Sequence, residues 1–385
     1  MAGMKTIVVT PLYPLGNKPN GIRYVISKIL ELNQDQKCIT ICHPGDIEEP
    51  IEEPIAIEKV DLTPQKNWKL LLKWACSFYP MAIIRMYPAI KKIRKRLQQL
   101  DFDQLNLCYP FLLPLMKGYP KERLLFTSID SFSLVILRRL KLEKNLFKKL
   151  YLSIDFLKYY VLERKYYKKA RKVLFASEVD IAHLNKWNIK GHFERLYLGI
   201  DPIFFKSYKK PTTKKLVFVG DYAYFTNEEA ALFLIEQVMP LLKKEEIILY
   251  LVGIHPTKKM IEAQSEHVIV TGRVDSLSPY FEQCAVFVAP LMNGAGIKIK
   301  VLQAMAMQNI VIGSNVALDG IEGIDSVHFI RMQDFDPKKW AQAILEVLEK
   351  RPKLGKAARE LMQKKHSWNA FFKHYEKEYE AVANK

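Results

Sequence analysis

Residues 285–306 read Ala285-Val286-Phe287-Val288-Ala289-Pro290, then Leu291-Met292-Asn293-Gly294-Ala295-Gly296, then Ile297-Lys298-Ile299-Lys300-Val301-Leu302-Gln303-Ala304-Met305-Ala306. A short apolar run stopped by proline reads as a buried strand, and the glycine-bearing stretch after it as a turn. A helix then starts from that turn. Such a junction aims several unpaired backbone N–H groups and the positive end of the helix dipole at one point, so an anion belongs there. Lys298 and Lys300, expected in the first helical turn, add charge. Gly294 and Gly296 let a diphosphate approach the backbone where Cβ atoms are absent.

The same alternation extends in both directions. In the second half, strands are expected at 216–220, 247–253, 268–272, 286–290 and 310–313, with helical stretches between most of them. In the first half they are expected at 6–12, 37–43, 105–109, 124–129, 173–177 and 195–200, with helices at 22–32 and 132–140. Strand and helix in alternation indicate parallel sheets covered on both faces. The fold class is α/β, with two Rossmann-like doubly wound domains. A polar tract near 205–215, broken by Pro211, marks the join. Ligand sites at the carboxyl ends of the strands are then expected to face each other across a cleft.

A chain of 385 residues suffices for two such domains, and 49% apolar with 26% charged content excludes wholesale disorder. Residues 1–5 run straight into the first strand without a leader, and no apolar run approaches the ~20 residues of a membrane-spanning helix. Five scattered cysteines read as buried, reduced thiols of a cytoplasmic protein, with no zinc-ligand spacing.

The net charge of +18 is concentrated. Residues 62–100 carry +9 and residues 138–172 carry +10, which leaves the remainder at −1. Both segments interleave cations with large apolar groups: Trp68, Trp74, Phe78 and Tyr79 in the first, Leu146, Phe147, Leu150 and Tyr151 in the second. Basic helices with boundary aromatics suit an anionic membrane surface. The competing reading is a solvated helical face whose apolar side is domain core. No nucleic-acid-binding motif accompanies the charge, so nucleic acid is not an expected partner.

The strand ends of the second half form an ordered set. Gly220 is followed by Asn227 at a helix start, and Gly272-Arg273-Val274-Asp275 by Tyr280. Then comes Pro290-Leu291-x-x-Gly294-x-Gly296-Ile297-Lys298-x-Lys300-Val301-Leu302-x-Ala304-Met305-Ala306. The set resembles the retaining family 4 (group 1) glycosyltransferases of the GT-B fold. Pro11-x-Tyr13-Pro14 with Gly21 and Arg23 resembles that family's acceptor-side loop. Ser177-Glu178-x-Asp180, Leu198-Gly199-Ile200-Asp201 and Trp368 resemble the stretches around the interdomain linker and the terminal helix.

The resemblance implies an acceptor domain at 1–206, a nucleotide-sugar domain at 207–364, and a helix at 365–385 packing back on the first. It implies retaining transfer from a UDP- or GDP-linked sugar to a glycan or lipid-linked acceptor, with no metal and no further cofactor. The setting would be bacterial surface polysaccharide synthesis, peripheral on the inner face of the membrane. Donor contacts fall on Gly220, Asn227, Gly272, Arg273, Val274, Asn293, Gly294, Ala295, Gly296, Ile297, Lys298 and Gln303, with Lys300 catalytic. Asn20, Gly21 and Arg23 fall on the acceptor side.

The chain departs from the family at three places. Two glutamates usual around the glycine turn are Ala295 and Gln303 here, and a first-domain histidine is replaced by Ile129-Asp130. Gln303 can still hydrogen-bond a ribose. Asp130 reads either as a group that orients an acceptor hydroxyl or acts as its base, or else Asp130 or Ser131 is simply the N-cap of the helix 132–140. These departures keep open a non-catalytic scaffold of the same fold that binds nucleotide or glycan without turnover.

Overall fold

A computed structural model describes residues 5–11, 21–31, 36–42, 57–61, 68–205, 213–294 and 296–383. Seven strands lie in the first half: Thr6–Thr10 (β1), Gln36–Cys42 (β2), Ile57–Asp61 (β3), Gln104–Cys108 (β4), Leu124–Ile129 (β5), Lys172–Phe175 (β6) and Phe193–Arg195 (β7). Six follow: Lys215–Val219 (β8), Ile248–Val252 (β9), Val268–Gly272 (β10), Val286–Ala289 (β11), Ile310–Ser314 (β12) and Ile330–Met332 (β13). Helices of the first half are Gly21–Glu31 (α1), Trp68–Cys76 (α2), Met81–Leu97 (α3), Phe132–Leu142 (α4), Leu146–Tyr166 (α5) and Glu178–Lys186 (α6). Those of the second are Phe225–Phe233 (α7), Met239–Leu242 (α8), Lys258–Glu262 (α9), Ser278–Gln283 (α10), Ile299–Ala306 (α11), Pro337–Lys350 (α12), Leu354–Lys365 (α13) and Trp368–Ala383 (α14).

The strands form two sheets, ordered β3-β2-β1-β4-β5-β6-β7 and β10-β9-β8-β11-β12-β13, with every pairing parallel. β1, β4, β5 and β11 are buried along their whole length, as parallel strands covered on both faces must be. Strand order reverses between β1 and β4 and again between β8 and β11. In doubly wound sheets ligands bind outside the carboxyl ends at these reversals.

The chain divides into two compact units, residues 1–196 with 372–385, and residues 197–371. The last helix begins in one and ends in the other. Within the second unit the Trp368 ring fills the space where a Cβ on Gly199 would sit, 2.3 Å away. Within the first, Asn106 Nδ2 donates to Tyr375 Oη at 2.5 Å, and Asn106 Oδ1 accepts from Thr127 Oγ1 at 3.1 Å.

Two expectations need correction. The stretch 195–200 is not a strand: pairing with β6 stops at Arg195, and Ile200 bridges only Ser367. The chain leaves the first sheet there because it is crossing into the second unit. Cys38, Cys108 and Cys284 are buried thiols, but Cys76, at the end of α2, is exposed.

Candidate functional site

The reversal in the second unit brings together the loop after β8 and the loop after β11. Gly220 continues β8, its N–H donating to Val252 O at 3.0 Å. A Cβ there would lie 2.9 Å from Asn227 Cγ, and a Cβ on Gly253 would lie 1.8 Å from Gly220 O. These strand ends therefore touch backbone to backbone, which only glycine allows. Asn227, near the start of α7, is held by Nδ2 donating to Asp221 O at 2.8 Å.

From the other side of the reversal, Lys300 Nζ donates to Asn227 Oδ1 at 2.6 Å and lies 4.4 Å from the centroid of the Phe218 ring. Lys300 as a residue is only half-buried, but its ammonium is enclosed between Asn227 and the Phe218 ring, where it is desolvated. Burial lowers its pKa to about 7, and the charge of Lys298 pushes in the same direction. An ammonium so placed gains from any anion brought beside it.

Lys298 stands one residue earlier than expected. It is the N-cap of α11, outside the first turn, and its Nζ folds back to donate to Gly296 O at 2.6 Å. A lysine has no acceptor to offer the helix N-terminus. Gly294 and Gly296 have φ of +127° and +68°, conformations that favour glycine. Asn293 Nδ2 donates to Glu229 Oε2 at 2.9 Å, and burial raises the Glu229 pKa against that bond. Ile297 and Gln303 are half-buried, before and within α11 respectively. Ala295 lies outside the described residues. Gly272 ends β10, two strands from β8, with φ +67° and open space where a Cβ would be. Arg273 is exposed and Val274 half-buried beside it.

Asp130 follows β5 in the first unit, partly exposed, after Ile129 in a left-handed conformation with φ +69°. A β-branched residue rarely adopts that conformation, so the turn must be held by its surroundings. The holding groups are visible. Ser131 N–H donates to Asp180 Oδ1 at 2.7 Å, Ser133 N–H to Glu163 Oε1 at 3.2 Å, and Ser133 Oγ to Glu163 Oε2 at 2.5 Å. Tyr167 Oη donates to the same carboxylate at 3.2 Å, and Ser133 Oγ lies 2.9 Å from His183 Nε2.

Burial raises Glu163 to about 7 despite those donors, and lowers His183 to about 4 with help from Arg138. Asp180 is raised by burial and then by the charge of Asp130. Of the two capping candidates it is Ser131 whose hydroxyl caps α4, accepting from Leu134 N–H at 3.4 Å. Sequence reasoning missed Glu163 and His183 as members of this network; the spacing of Glu163 and Tyr167, one helical turn apart, was the available signal. Asn20 lies outside the described residues. Gly21 opens α1 and Arg23 follows in it, with only their backbone described.

Among the described residues no group of three or more His, Cys, Asp or Glu could hold a metal ion, and no helix is long and apolar enough to cross a membrane.

Residues 213–350 match the family described as Glycosyl transferases group 1. No curated protein matches the chain at significant similarity. Solved structures do. Sucrose-phosphate synthase from Thermosynechococcus elongatus is 15% identical with a TM-score of 0.76, over 98% of this chain and 99% of that one. HepE of Anabaena, solved with UDP and glucose, is 11% identical with a TM-score of 0.68 over 100% of both chains. TarM is 12% identical with a TM-score of 0.69, over 100% of this chain and 99% of that one. At such identities the likeness establishes the fold, which is GT-B.

Proposed function

We propose, for a chain of GT-B fold whose residues 213–350 belong with the group 1 glycosyl transferases, that it moves a sugar from a nucleotide diphosphate sugar to a glycan or lipid-linked acceptor, with retention at the anomeric carbon. The carrying observation is the enclosed Lys300 ammonium, held by Asn227 where the β8 and β11 loops meet at the strand-order reversal. A departing nucleotide diphosphate gathers negative charge as the glycosidic bond breaks. Preorganised cations and amides stabilise that charge most in the transition state. Lys300 and Lys298 supply the cations, and the backbone of 295–297 the amides. These groups do the neutralising that a metal ion does elsewhere.

Gly272, Arg273 and Val274 flank the base, Gln303 takes the ribose, and Gly220 and Gly253 let the strand ends beside the diphosphate pack closely. Asp130 is the group that orients or deprotonates the acceptor hydroxyl, with Asn20, Gly21 and Arg23 on the acceptor side. The HepE likeness, solved with UDP and glucose, favours a UDP-linked donor. The excess positive charge at 62–100 and 138–172 fits a peripheral enzyme of surface polysaccharide synthesis working on the inner face of an anionic membrane.

The deciding experiment is the thermal shift of the protein with UDP, GDP, CMP and ADP, with Lys300→Ala as control. A ligand at a hundredfold excess over Kd stabilises by about 2.7 kcal/mol. One nucleotide acting on the wild type and not on the variant supports the reading. Binding with no hydrolysis or transfer of the matching nucleotide sugar favours the scaffold instead, for which Gln303 in place of a charged residue is the specific observation. No shift with any nucleotide sinks the donor site.

A further inference from the structure

At the far end of α4 the first unit carries a feature that no step of glycosyl transfer uses. α4 stops at Leu142, the chain turns, and α5 starts at Leu146 with Asn145 as its cap, Oδ1 accepting from Lys148 N–H at 3.0 Å. Every residue from 144 to 150 is exposed, with Leu146 at 79% and Phe147 at 85%; Leu150 and Leu142 are exposed with them. The first turn of α5 thus has no buried face, and its first buried side chain is Leu152.

Helices in proteins are ordinarily held by burying an apolar stripe, and a contiguous exposed apolar patch marks a contact surface. Residues 138–149 carry Arg138, Arg139, Lys141, Lys144, Lys148 and Lys149 with Glu143 the one acid, and of these Lys144, Lys148 and Lys149 are exposed beside the apolar tip. Alongside, α2 is tied to α5: Trp74 Nε1 donates to Asp155 Oδ1 at 2.9 Å, and its ring lies 4.9 Å from that of Tyr151. α2 and the turn after it expose Leu71, Leu72 and Phe78, the last at 83%. Two basic segments far apart in sequence are therefore packed together, and each exposes large apolar side chains.

We propose that the α4–α5 tip is a wedge that enters the interface of an anionic phospholipid bilayer, with Leu142, Leu146, Phe147 and Leu150 among the acyl chains and Lys144, Lys148 and Lys149 at phosphate level. This deepens the membrane-surface reading above and rests on it. Charge selects the occupant: a second copy of the chain would set the same cations against its own, whereas anionic headgroups complement them. Insertion also separates this surface from a purely electrostatic one, because the apolar part of the binding survives salt that screens the rest.

The test is cosedimentation of the full chain with vesicles of phosphatidylcholine alone and of phosphatidylcholine with about a third phosphatidylglycerol, at low and high salt. The wild type is expected to bind the anionic vesicles at least about tenfold better. Leu146→Ser with Phe147→Ser, both at exposed positions, is expected to weaken that binding roughly tenfold or more, including the part that survives high salt. Lys148→Glu with Lys149→Glu should remove the preference for the anionic lipid. Phe147→Trp should shift its emission to the blue on binding.

Wild-type behaviour of the double serine variant, or unshifted emission from bound Phe147→Trp, overturns the wedge. So does a lipid-free dimer that the double serine variant abolishes, which would make the patch a protein interface. The nucleotide thermal shift, run on the same variants, separates the readings. A variant that loses vesicles but keeps the shift leaves the donor site standing, and a wild type that binds vesicles without any shift leaves the wedge standing alone.

Discussion

The two units solve the same local problem in opposite ways. In each, a parallel strand ends, the chain turns, and a helix starts with its first N–H groups pointing outward. In the first unit the chain supplies its own carboxyl groups: Asp180 takes the Ser131 N–H and Glu163 takes the Ser133 N–H. In the second, the corresponding turn ends in a lysine cap, is lined by glycines in left-handed conformations, and has Lys300 enclosed behind it. A helix start stopped with carboxylates is a structural joint. On the proposed donor reading, one flanked by two lysines and two glycines is suited to receive an anion. The contrast separates the proposed donor side from the turn that carries Asp130, although both turns follow similar strands.

The largest expected break in that comparison comes from Lys300→Ala. Loss of the enclosed cation should lower transfer or donor hydrolysis by roughly 10²–10³-fold, measured as kcat/KM with the donor found above, while the melting temperature stays at or above that of the wild type. On the other side, Glu163→Ala leaves the donors of Ser133 and Tyr167 buried without their acceptor. It should cost roughly 2–4 kcal/mol in urea unfolding, with nucleotide affinity unchanged in the folded fraction. If affinity falls as well, the two turns are not independent.

A pH series sharpens the contrast further. Lys300 is lowered to about 7, and a bound diphosphate favours its protonated form. Nucleotide affinity should therefore fall by up to about tenfold per unit as pH rises above 7, with proton uptake seen by calorimetry in buffers of different ionisation heat. The unliganded protein shows the opposite slope there, because the native state binds fewer protons than the unfolded one and gains stability as pH rises. Glu163 is raised from 4.5 to about 7, so the native state holds its proton longer and stability falls across that window. Glu163→Gln should flatten that fall. The smallest effect is expected from Ser131→Ala, where loss of one cap costs about 1 kcal/mol.

The alternation of the second unit was legible because its strands are short, apolar and stopped by glycine or proline: 268–272 was read at its true ends, and 216–220 and 286–290 within a residue. β3 and β13 were not read, since Ile-Glu-Lys-Val-Asp and Ile-Arg-Met are too polar or too short to stand out from loop. Asn227 and Lys300 were each marked from sequence, but the bond between them spans 73 residues and is set by which strands are neighbours. The clamp on Ser133 joins α4, α5 and α6, so no single window contains it. The exposure of Leu146 and Phe147 was equally hidden. Spacing within a helix does not say which turns have a neighbour, and here the apolar side of the tip is not core.

Tyr375 has a consequence for synthesis. It supplies the partner of Asn106, a polar side chain in the middle strand of the first unit, yet it is made after the whole of the second unit. Domains ordinarily fold as they leave the ribosome, the earlier before the later. This chain cannot finish in that order: its first sheet waits, one strap short, until the second unit has been translated, so the half that is made first is the half that is completed last.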